Sequence, residues 1–331
     1  MNPVDWQLLD SDRDLFHREL DSFVPARVFD AHAHLYEAAQ FHPQPPPLVA
    51  PGPASVGLDE YRKRIAELLP GRSVAGLFFG FPHPALDMER ANGFVSAECA
   101  ADPASRALML VRPDMDPEFI RESVRRFRFA GLKCYHTYAA HQPTFEAPIS
   151  SYLPESQMEI AHQERLAVTL HLVRPRALAD PANQQAIRHY AGRYPDARLV
   201  LAHAARGFNP HHTIEGIESL RGLRNIWCDT SAVTEAGAIE AIARTLGVDR
   251  LLFGSDFPVS HIRGRAVAIG DSFLWLSPAN VDFTAAYAHV QPAWVGFESL
   301  RTLKLAAFHL RLSDTQVEDI FYRNAQALLG S

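Results

Sequence analysis

Five side chains that can bind or activate a divalent metal ion each stand near the end of an apolar run. His32 and His34 share the segment DAHAH, while His171, His203 and Asp256 follow three later runs. If DAHAH continues a strand, both histidines point to the same side, because side chains alternate across a strand. Two imidazoles on one side can hold one metal ion, although such a pair also occurs where two histidines merely end a strand. The sequence therefore predicts a metal centre only if the fold brings all five groups together.

The elements that must position these groups are eight short aliphatic or β-branched runs separated by helix-like stretches. The runs cover residues 27–32, 73–79, 106–111, 130–135, 167–171, 197–203, 223–229 and 250–256. In the stretch 116–128, the apolar residues Phe119, Ile120, Val124 and Phe127 recur at helical spacing, and we predict that they mark one face of a helix. Alternating strands and helices predict a parallel sheet with right-handed crossovers.

The number and spacing of the runs favour a closed barrel over an open sheet. Their C-terminal ends are about 32 residues apart on average, close to the ~31 residues per unit of a ~250-residue barrel. The sequence contains no GxGxxG or Walker segment, which an open nucleotide-binding sheet commonly carries. We therefore predict an α/β fold, a (β/α)8 TIM barrel. All strand ends of such a barrel open on the face that carries active sites, so the five groups are expected to converge there.

Composition restricts the class of protein. The 331 residues are 47% hydrophobic and 21% charged, enough for a substantial core, and we predict one domain over residues 1–331. A net charge of −6 offers no concentrated basic surface for nucleic acid, and no apolar run reaches the ~20 residues of a membrane span. The start of the chain is acidic and polar, unlike a secretory signal, and the three cysteines are far apart, which suits a reducing compartment. We expect a cytoplasmic protein that acts on a small molecule and binds neither nucleic acid nor membrane.

Two segments fall outside the barrel units. Residues 1–26 form an N-terminal extension, and residues 257–295 form a long insertion after the eighth strand. The insertion contains the apolar stretch Phe273-Leu-Trp-Leu276, which would be costly to leave in water. We expect it either to fold over the barrel mouth as a lid or to pack against a second copy of the chain, so a homo-oligomer stays open.

The motifs at the strand ends resemble the amidohydrolase superfamily, and more closely its amidohydrolase-2 family of mostly mononuclear enzymes. The resembling stretches are DAHAHLY at the first strand, TLHLV at the fifth, LVLAHAARG at the sixth and LLFGSDFP at the eighth. The C-terminal stretch 319–330 also looks like the closing helix of that family. The resemblance therefore covers nearly the whole chain.

The resemblance implies a role for each of the five groups. His32, His34 and His171 would be metal ligands, and Asp256 would bind the metal or its water and take part in catalysis. His203 would polarise the substrate or exchange a proton with the water. One divalent ion is implied, with zinc expected first and manganese or iron as alternatives. Three nitrogen ligands, one carboxylate and an open position for water also fit a catalytic zinc site on chemical grounds.

Basic and aromatic residues near the same strand ends suggest how a substrate is held. Arg112, Arg174 and Arg206 follow three different strands, and guanidinium groups bind carboxylates bidentately, so we expect an anionic substrate. The alternative is that these arginines pair with loop carboxylates. Lys133 is either a substrate-binding cation, a carbamate that bridges two metals as in some amidohydrolases, or a structural residue. Tyr135 is a candidate for the substrate-binding wall.

The leading functional hypothesis is a metal-dependent hydrolase that acts on a small ester, lactone or amide bearing a carboxylate. The alternatives are a non-oxidative decarboxylase or hydratase of the same family, and a barrel that binds a ligand without turnover. Some decarboxylases of the family carry glutamate in place of the first histidine, so His32 weakens that subtype. Asp229 and Thr230, after the seventh strand, are weaker pocket candidates.

Overall fold

Eight parallel strands form a barrel in the computed structural model, which describes residues 6–284 and 287–330. The strands lie in chain order, each hydrogen-bonded to the next. Their bounds are β1 Arg27–His34, β2 Ser73–Phe79, β3 Arg106–Val111, β4 Gly131–Cys134, β5 Ala167–Leu170, β6 Arg198–Leu201, β7 Ile226–Asp229 and β8 Leu251–Leu252. The predicted (β/α)8 barrel is confirmed.

The barrel closes between β1 and the segment that follows β8. The amide of Ala31 donates to the carbonyl of Phe253 at 2.8 Å, and the amide of Asp256 donates to the carbonyl of His32 at 2.7 Å. Regular pairing of the last strand ends at Leu252, earlier than predicted, and the chain turns at Asp256 with a φ of 56°. Closure thus brings Asp256 next to His32, although the two residues come from opposite ends of the barrel sequence.

Helices connect the strands and cover the outside of the barrel. Their bounds are α1 Asp10–Leu15, α2 Leu58–Leu68, α3 Met88–Ala100, α4 Pro117–Phe127, α5 Glu155–Gln163, α6 Pro181–Arg193, α7 Pro210–Gly216, α8 Ala236–Thr245, α9 Val295–Leu310, α10 Asp314–Glu318 and α11 Asn324–Leu329. Among the described residues, no helix has both the length and the apolar character that crossing a bilayer requires.

Helix α4 shows how local sequence sets these elements. The Asp116 carboxylate accepts hydrogen bonds from amides of the first turn. Pro117, the first helical residue, has no N–H at a position where an N–H would have no partner within the helix. Ile120 and Val124 are buried as predicted, whereas Phe119 and Phe127 are 47% and 42% exposed. Phe119 lies beside the buried stripe and Phe127 lies in the last turn, so the buried face is narrower than the sequence predicts.

Neighbouring residues of β4 point to opposite sides of the barrel wall. Cys134 belongs to the large apolar cluster that includes helix residues. Because side chains alternate along a strand, the preceding residue, Lys133, points the other way and lines the cavity at the barrel mouth. The strand thus places a lysine where chemistry can occur and a thiol where it cannot.

The described part of the N-terminal extension is attached to the barrel by a buried ion pair. Phe16 and Leu20 are buried beside α1, and the Asp12 carboxylate receives two hydrogen bonds from the Arg263 guanidinium, at 2.7 and 3.1 Å. Asp12 is 2% exposed and Arg263 is 6% exposed. Since Arg263 also lines the cavity, this pair connects the extension to the barrel mouth.

We expect Asp12→Ala to destabilise the protein by roughly 3–5 kcal/mol, because the substitution removes a buried carboxylate that accepts two hydrogen bonds from the buried Arg263 guanidinium. Urea unfolding followed by circular dichroism measures the change. The control is Asp10→Ala, which removes an exposed carboxylate 2.6 Å from Arg13 and should cost less than about 1 kcal/mol. Equal stability of the two variants would contradict the assigned role of the buried pair.

The insertion after β8 contributes a hairpin to the barrel mouth. Strands β9 Arg265–Ile269 and β10 Ser272–Leu276 pair antiparallel, and Trp275 and Leu276 line the cavity. The Asn209 side chain donates to the carbonyls of Gly270 and Ser272, at 3.1 and 2.8 Å, and so holds the hairpin turn. Part of the stretch predicted to avoid water therefore lines the cavity, and both predicted uses of the insertion, as a lid and as a contact with another copy, stay predictions.

Candidate metal and catalytic site

A cavity of about 350 Å³ opens at the C-terminal ends of the barrel strands. All of the predicted metal-binding and catalytic side chains line it, namely His32, His34, His171, His203 and Asp256. Lys133 and Tyr135 line it as well, and aromatic walls come from Phe81, Phe208 and Trp275. The structure thus brings together groups from four strands that are distant in sequence.

His32 and His34 each direct one ring nitrogen towards the Asp256 carboxylate. Nε2 of His32 lies 3.5 Å from Asp256 Oδ1, and Nε2 of His34 lies 3.4 Å from the same oxygen. The other nitrogen of each ring is hydrogen-bonded behind the site. Nδ1 of His32 lies 2.9 Å from an oxygen of Asp229, and Nδ1 of His34 lies 3.1 Å from the carbonyl of Gly80.

These outer hydrogen bonds assign the ring protons of His32 and His34. A carbonyl oxygen and an ionised carboxylate can only accept, so each Nδ1 donates and each Nε2 keeps its lone pair. Two lone-pair nitrogens and a carboxylate oxygen then face one another with no proton to share, and a cation stabilises such an arrangement. In a tetrahedral site with bonds of about 2.1 Å, neighbouring ligand atoms lie about 3.4 Å apart, as these do. The donor set therefore fits a divalent metal ion.

Burial keeps both imidazoles in the neutral form that binds metal. It lowers the pKa of His32 to about 4 and also lowers the pKa of His34. Burial alone would raise the pKa of Asp256, but the adjacent His203, His34 and His32 outweigh it and lower that pKa. At neutral pH the group therefore consists of two neutral imidazoles and one carboxylate.

His171, the remaining predicted ligand, lines the same cavity but stands apart from this group. The donor atoms of His32, His34 and Asp256 lie within 4.8 Å of one another, and His171 does not belong to that set. Its ring centre is 5.0 Å from that of His203, and its Nδ1 is buried with no hydrogen-bond partner among the described residues. A buried nitrogen without a partner requires an explanation, and a metal ion or a substrate would supply one.

His203 begins a left-handed turn that nothing in the sequence indicates. The four residues 203–206 have φ between 51° and 60°, a conformation that costs roughly 1–2 kcal/mol per residue. The His203 amide donates to Asp229 Oδ1 at 2.9 Å, which holds the start of the turn. Its ring Nδ1 lies 3.0 Å from the carbonyl of Ser231, so Nδ1 donates and Nε2 keeps its lone pair.

Two buried aspartates, Asp229 and Asp30, support the site from behind. Asp229 accepts from both His32 and the His203 amide, and His32 holds the pKa of Asp229 well below its usual range although burial opposes this. Asp30 accepts from the amides of His32 and Ser255, at 3.1 and 2.8 Å, and so joins β1 to the chain just before Asp256. The sequence ranks Asp229 only as a weak pocket candidate and gives Asp30 no role. The available signal is an acidic residue two positions before His32 in one case and an acidic residue at the end of the seventh predicted run in the other.

We expect Asp229→Asn to weaken metal binding about 10- to 100-fold, because the carboxylate orients the His32 ring and increases its basicity. Competition with a zinc chelator measures the Kd. The control, Asp249→Asn, removes a charge from a carboxylate that is 67% exposed and far from the cavity. An unchanged Kd in Asp229→Asn would show that His32 does not depend on this carboxylate.

Lys133 and Tyr135 lie on the side of the cavity next to His171. The Lys133 ammonium is 4.7 Å from the centre of the Phe79 ring, and Nζ is buried without a hydrogen-bond partner in the described part of the chain. Burial lowers the pKa of Lys133 to about 8. The Tyr135 ring packs 4.9 Å from that of His171. Both residues are therefore placed where a substrate can reach them.

The three predicted substrate-binding arginines have different surroundings. Arg112 pairs with Asp114 at 3.3 Å and borders a groove between α3 and α4 instead of the cavity. Arg174 pairs with Asp180 at 3.0 Å. The alternative of pairing with loop carboxylates thus describes both of them. Arg206 is 5% exposed and has no carboxylate partner among the described residues.

Sequence comparison matches this chain to a known family. Residues 29–331 match the sequence family described as amidohydrolase. L-fucono-1,5-lactonase from Burkholderia ambifaria is 32% identical over 116 residues, a match that covers 30% of this chain and 39% of the lactonase. The matched part therefore spans well under half of that relative.

Several solved structures share the fold. An amidohydrolase from Burkholderia multivorans with bound zinc has a TM-score of 0.58 at 15% identity, with 92% of this chain and 99% of that chain covered. A probable 2-pyrone-4,6-dicarboxylic acid hydrolase from Acinetobacter baumannii, with citric acid bound, has a TM-score of 0.57 at 14% identity and the same coverage. Decarboxylases are also among the similar structures. At these identities the likeness concerns the fold.

Proposed function

Because the chain belongs to the amidohydrolase family, we propose that it is a metal-dependent hydrolase that opens small lactones. The observation that carries this proposal is that three lone-pair atoms, His32 Nε2, His34 Nε2 and Asp256 Oδ1, face one another and none of them carries a proton. A divalent ion held there, with His171 as a further ligand, would act as a Lewis acid and lower the pKa of water from 15.7 towards ~7. Zinc suits a set of nitrogen ligands and one carboxylate, with manganese or iron as alternatives.

Asp256 and His203 carry out the proton transfers in this proposal. Asp256, a carboxylate at neutral pH, accepts a proton from the water that attacks the lactone carbonyl. His203 lies beside it, with Nδ1 3.9 Å from Asp256 Oδ2. The lone-pair Nε2 of His203 receives the proton that Asp256 took up and passes it to the ring oxygen as the carbon–oxygen bond breaks. Water thus adds hydroxyl to the carbonyl carbon and hydrogen to the ring oxygen, and the product is a hydroxy acid.

Lys133 is proposed to stabilise negative charge on the substrate. Its buried ammonium has no hydrogen-bond partner in the described chain and lines the cavity with Asp256 and His32. A preorganised cation aimed at the oxygen that gains charge in the transition state lowers the barrier. In this role Lys133 remains an ammonium group beside a single metal ion. A carbamate on Lys133 would instead be a ligand for a second metal ion.

A small ring lactone suits both the cavity and the comparisons. The cavity volume falls at the small end of the ~300–1,000 Å³ found for ligand sites. The rings of Phe81, Phe208 and Trp275 offer flat apolar walls for a six-membered ring. One similar relative is a lactonase, and one similar structure is a probable pyrone hydrolase.

Decarboxylation is the competing function, because decarboxylases share this fold. Loss of carbon dioxide requires an acid that gives a proton to the carbon left behind. Asp256 and His203 are the groups of this cavity that could supply such a proton, after Asp256 has taken one up. The products therefore distinguish decarboxylation from hydrolysis.

The test is a substrate comparison with zinc-loaded protein. Coumalate, a pyranone carboxylate, and its neutral methyl ester are offered as lactones, and dihydroxybenzoates are offered as aromatic acids, each against a reaction without protein. We expect ring opening with release of acid and no carbon dioxide. Carbon dioxide from the aromatic acids, together with intact lactones, would replace hydrolysis by decarboxylation.

A further inference from the structure

Arg206 is a buried arginine with no acidic partner among residues 6–284 and 287–330. Within the described chain, its guanidinium makes one hydrogen bond, from Nη1 to the carbonyl of Arg174 at 3.3 Å, and no ion pair. Only 5% of the residue is exposed. Charged groups inside proteins are paired or bind ligands, because burying a lone charge is costly. The fold therefore buries a cation, and no described side chain provides a negative charge to pair with it.

Other arginines that follow barrel strands do not share this property. Each has a carboxylate partner: Arg112 has Asp114 at 3.3 Å, Arg174 has Asp180 at 3.0 Å, and Arg263 has Asp12 at 2.7 Å. Arg112 is half exposed, so water solvates its charge even without a carboxylate partner. Of the four arginines compared, Arg206 is thus the one for which no described carboxylate is a partner.

Aromatic rings hold the Arg206 side chain in place. Its guanidinium carbon lies 4.5 Å from the centre of the Phe145 ring and 5.1 Å from that of Phe273 in the hairpin. Stacking uses the faces of the guanidinium plane and leaves N–H groups at its edge for hydrogen bonds. Paired N–H groups on that edge match the two oxygens of a carboxylate.

This held cation stands next to the walls of the catalytic cavity. Phe273 packs 5.0 Å from Phe208, which lines the cavity and stacks 5.3 Å from the His203 ring. On another wall, the Phe145 ring lies 6.3 Å from the His136 ring, which lies 5.9 Å from that of His171. Arg206 therefore adjoins two sides of the space in which a substrate would lie.

We propose that Arg206 binds a carboxylate of the substrate, so that the lactone this protein prefers is an anionic one. This inference rests on the proposed hydrolase function for the nature of the ring, but the binding itself requires neither metal nor turnover. The substrate carboxylate supplies the missing counter-charge at the edge of Arg206, beside Tyr135. The ring then lies towards His171, and its carbonyl lies towards Asp256.

Calorimetric titration of EDTA-treated protein with coumalate and with methyl coumalate tests the proposal without metal or turnover. Wild-type protein should bind coumalate about 10- to 150-fold more tightly than the ester, the value of a charge-assisted hydrogen bond. Arg206→Met should lose most of this preference, and Arg206→Lys should keep part of it because the charge remains. Arg112→Met, which removes an equal charge from the groove between α3 and α4, should bind both compounds as the wild type does.

Two results would overturn the carboxylate site. One is a wild-type protein that shows no preference for coumalate, and the other is a folded Arg206→Met variant that retains the full preference. Failure of the hydrolase proposal gives a different pattern, in which coumalate binds through Arg206 but neither lactone is opened after zinc is restored. The binding and turnover measurements thus separate the two proposals.

Discussion

Replacing His34 by alanine is expected to remove the metal ion and reduce lactone hydrolysis to the background rate. His34 Nε2 is one of the two lone-pair nitrogens that face Asp256 Oδ1, so the substitution deletes a metal–ligand bond. The attacking water then keeps a pKa near 15.7, and little hydroxide forms at neutral pH. Elemental analysis after gentle purification should give close to one equivalent of metal in the wild type and near none in His34→Ala.

A surface histidine provides the control for this loss. His309 lies on α9, is about half exposed and pairs with Glu240 at 2.8 Å, so His309→Ala should keep both metal and activity. Retention of metal and turnover in His34→Ala would remove this histidine from the metal centre. Circular dichroism of both variants separates metal loss from unfolding.

Replacing His203 by asparagine is expected to lower kcat about 10²- to 10⁴-fold while much of the metal remains. The asparagine side chain can still donate to the carbonyl of Ser231, the partner of Nδ1, but it has no counterpart of the lone-pair Nε2. Asparagine also tolerates the left-handed backbone at this position, where φ is 57°. The substitution thus removes proton transfer with little disturbance of the turn.

Metal content and kcat must be measured on the same preparation of His203→Asn. A matched control is His189→Asn on α6, an exposed histidine that pairs with Glu155. If His203→Asn loses its metal completely, His203 is an indispensable ligand and the proton-transfer role fails. An unchanged kcat would exclude the role as well.

The barrel and the set of groups at its mouth could be predicted from the sequence because both depend on local pattern. Apolar runs at regular spacing predict the strands, and strand ends of a parallel barrel share one face. His32 and His34 fall on one side because residues two apart in a strand do so. For the same reason Lys133 points into the cavity and Cys134 points away from it.

The features that could not be predicted depend on contacts between distant residues. The support of His32 by Asp229 joins positions 197 residues apart, and a single sequence does not record such a pairing. The left-handed turn at 203–206 has no glycine to mark it and is held partly by the same Asp229. Likewise, only the fold distinguishes the paired Arg112 and Arg174 from the unpaired Arg206, since all three follow strand ends in the same way.

Titration of EDTA-treated protein with zinc, with the rate of coumalate ring opening followed at each addition, tests the central claim most directly. A mononuclear metal-dependent lactonase predicts negligible activity without metal, a linear rise with added zinc and a sharp plateau at one equivalent per chain. Full activity in the absence of metal would contradict metal-dependent hydrolysis. A plateau at two equivalents would contradict the single metal centre and point to a carbamate on Lys133.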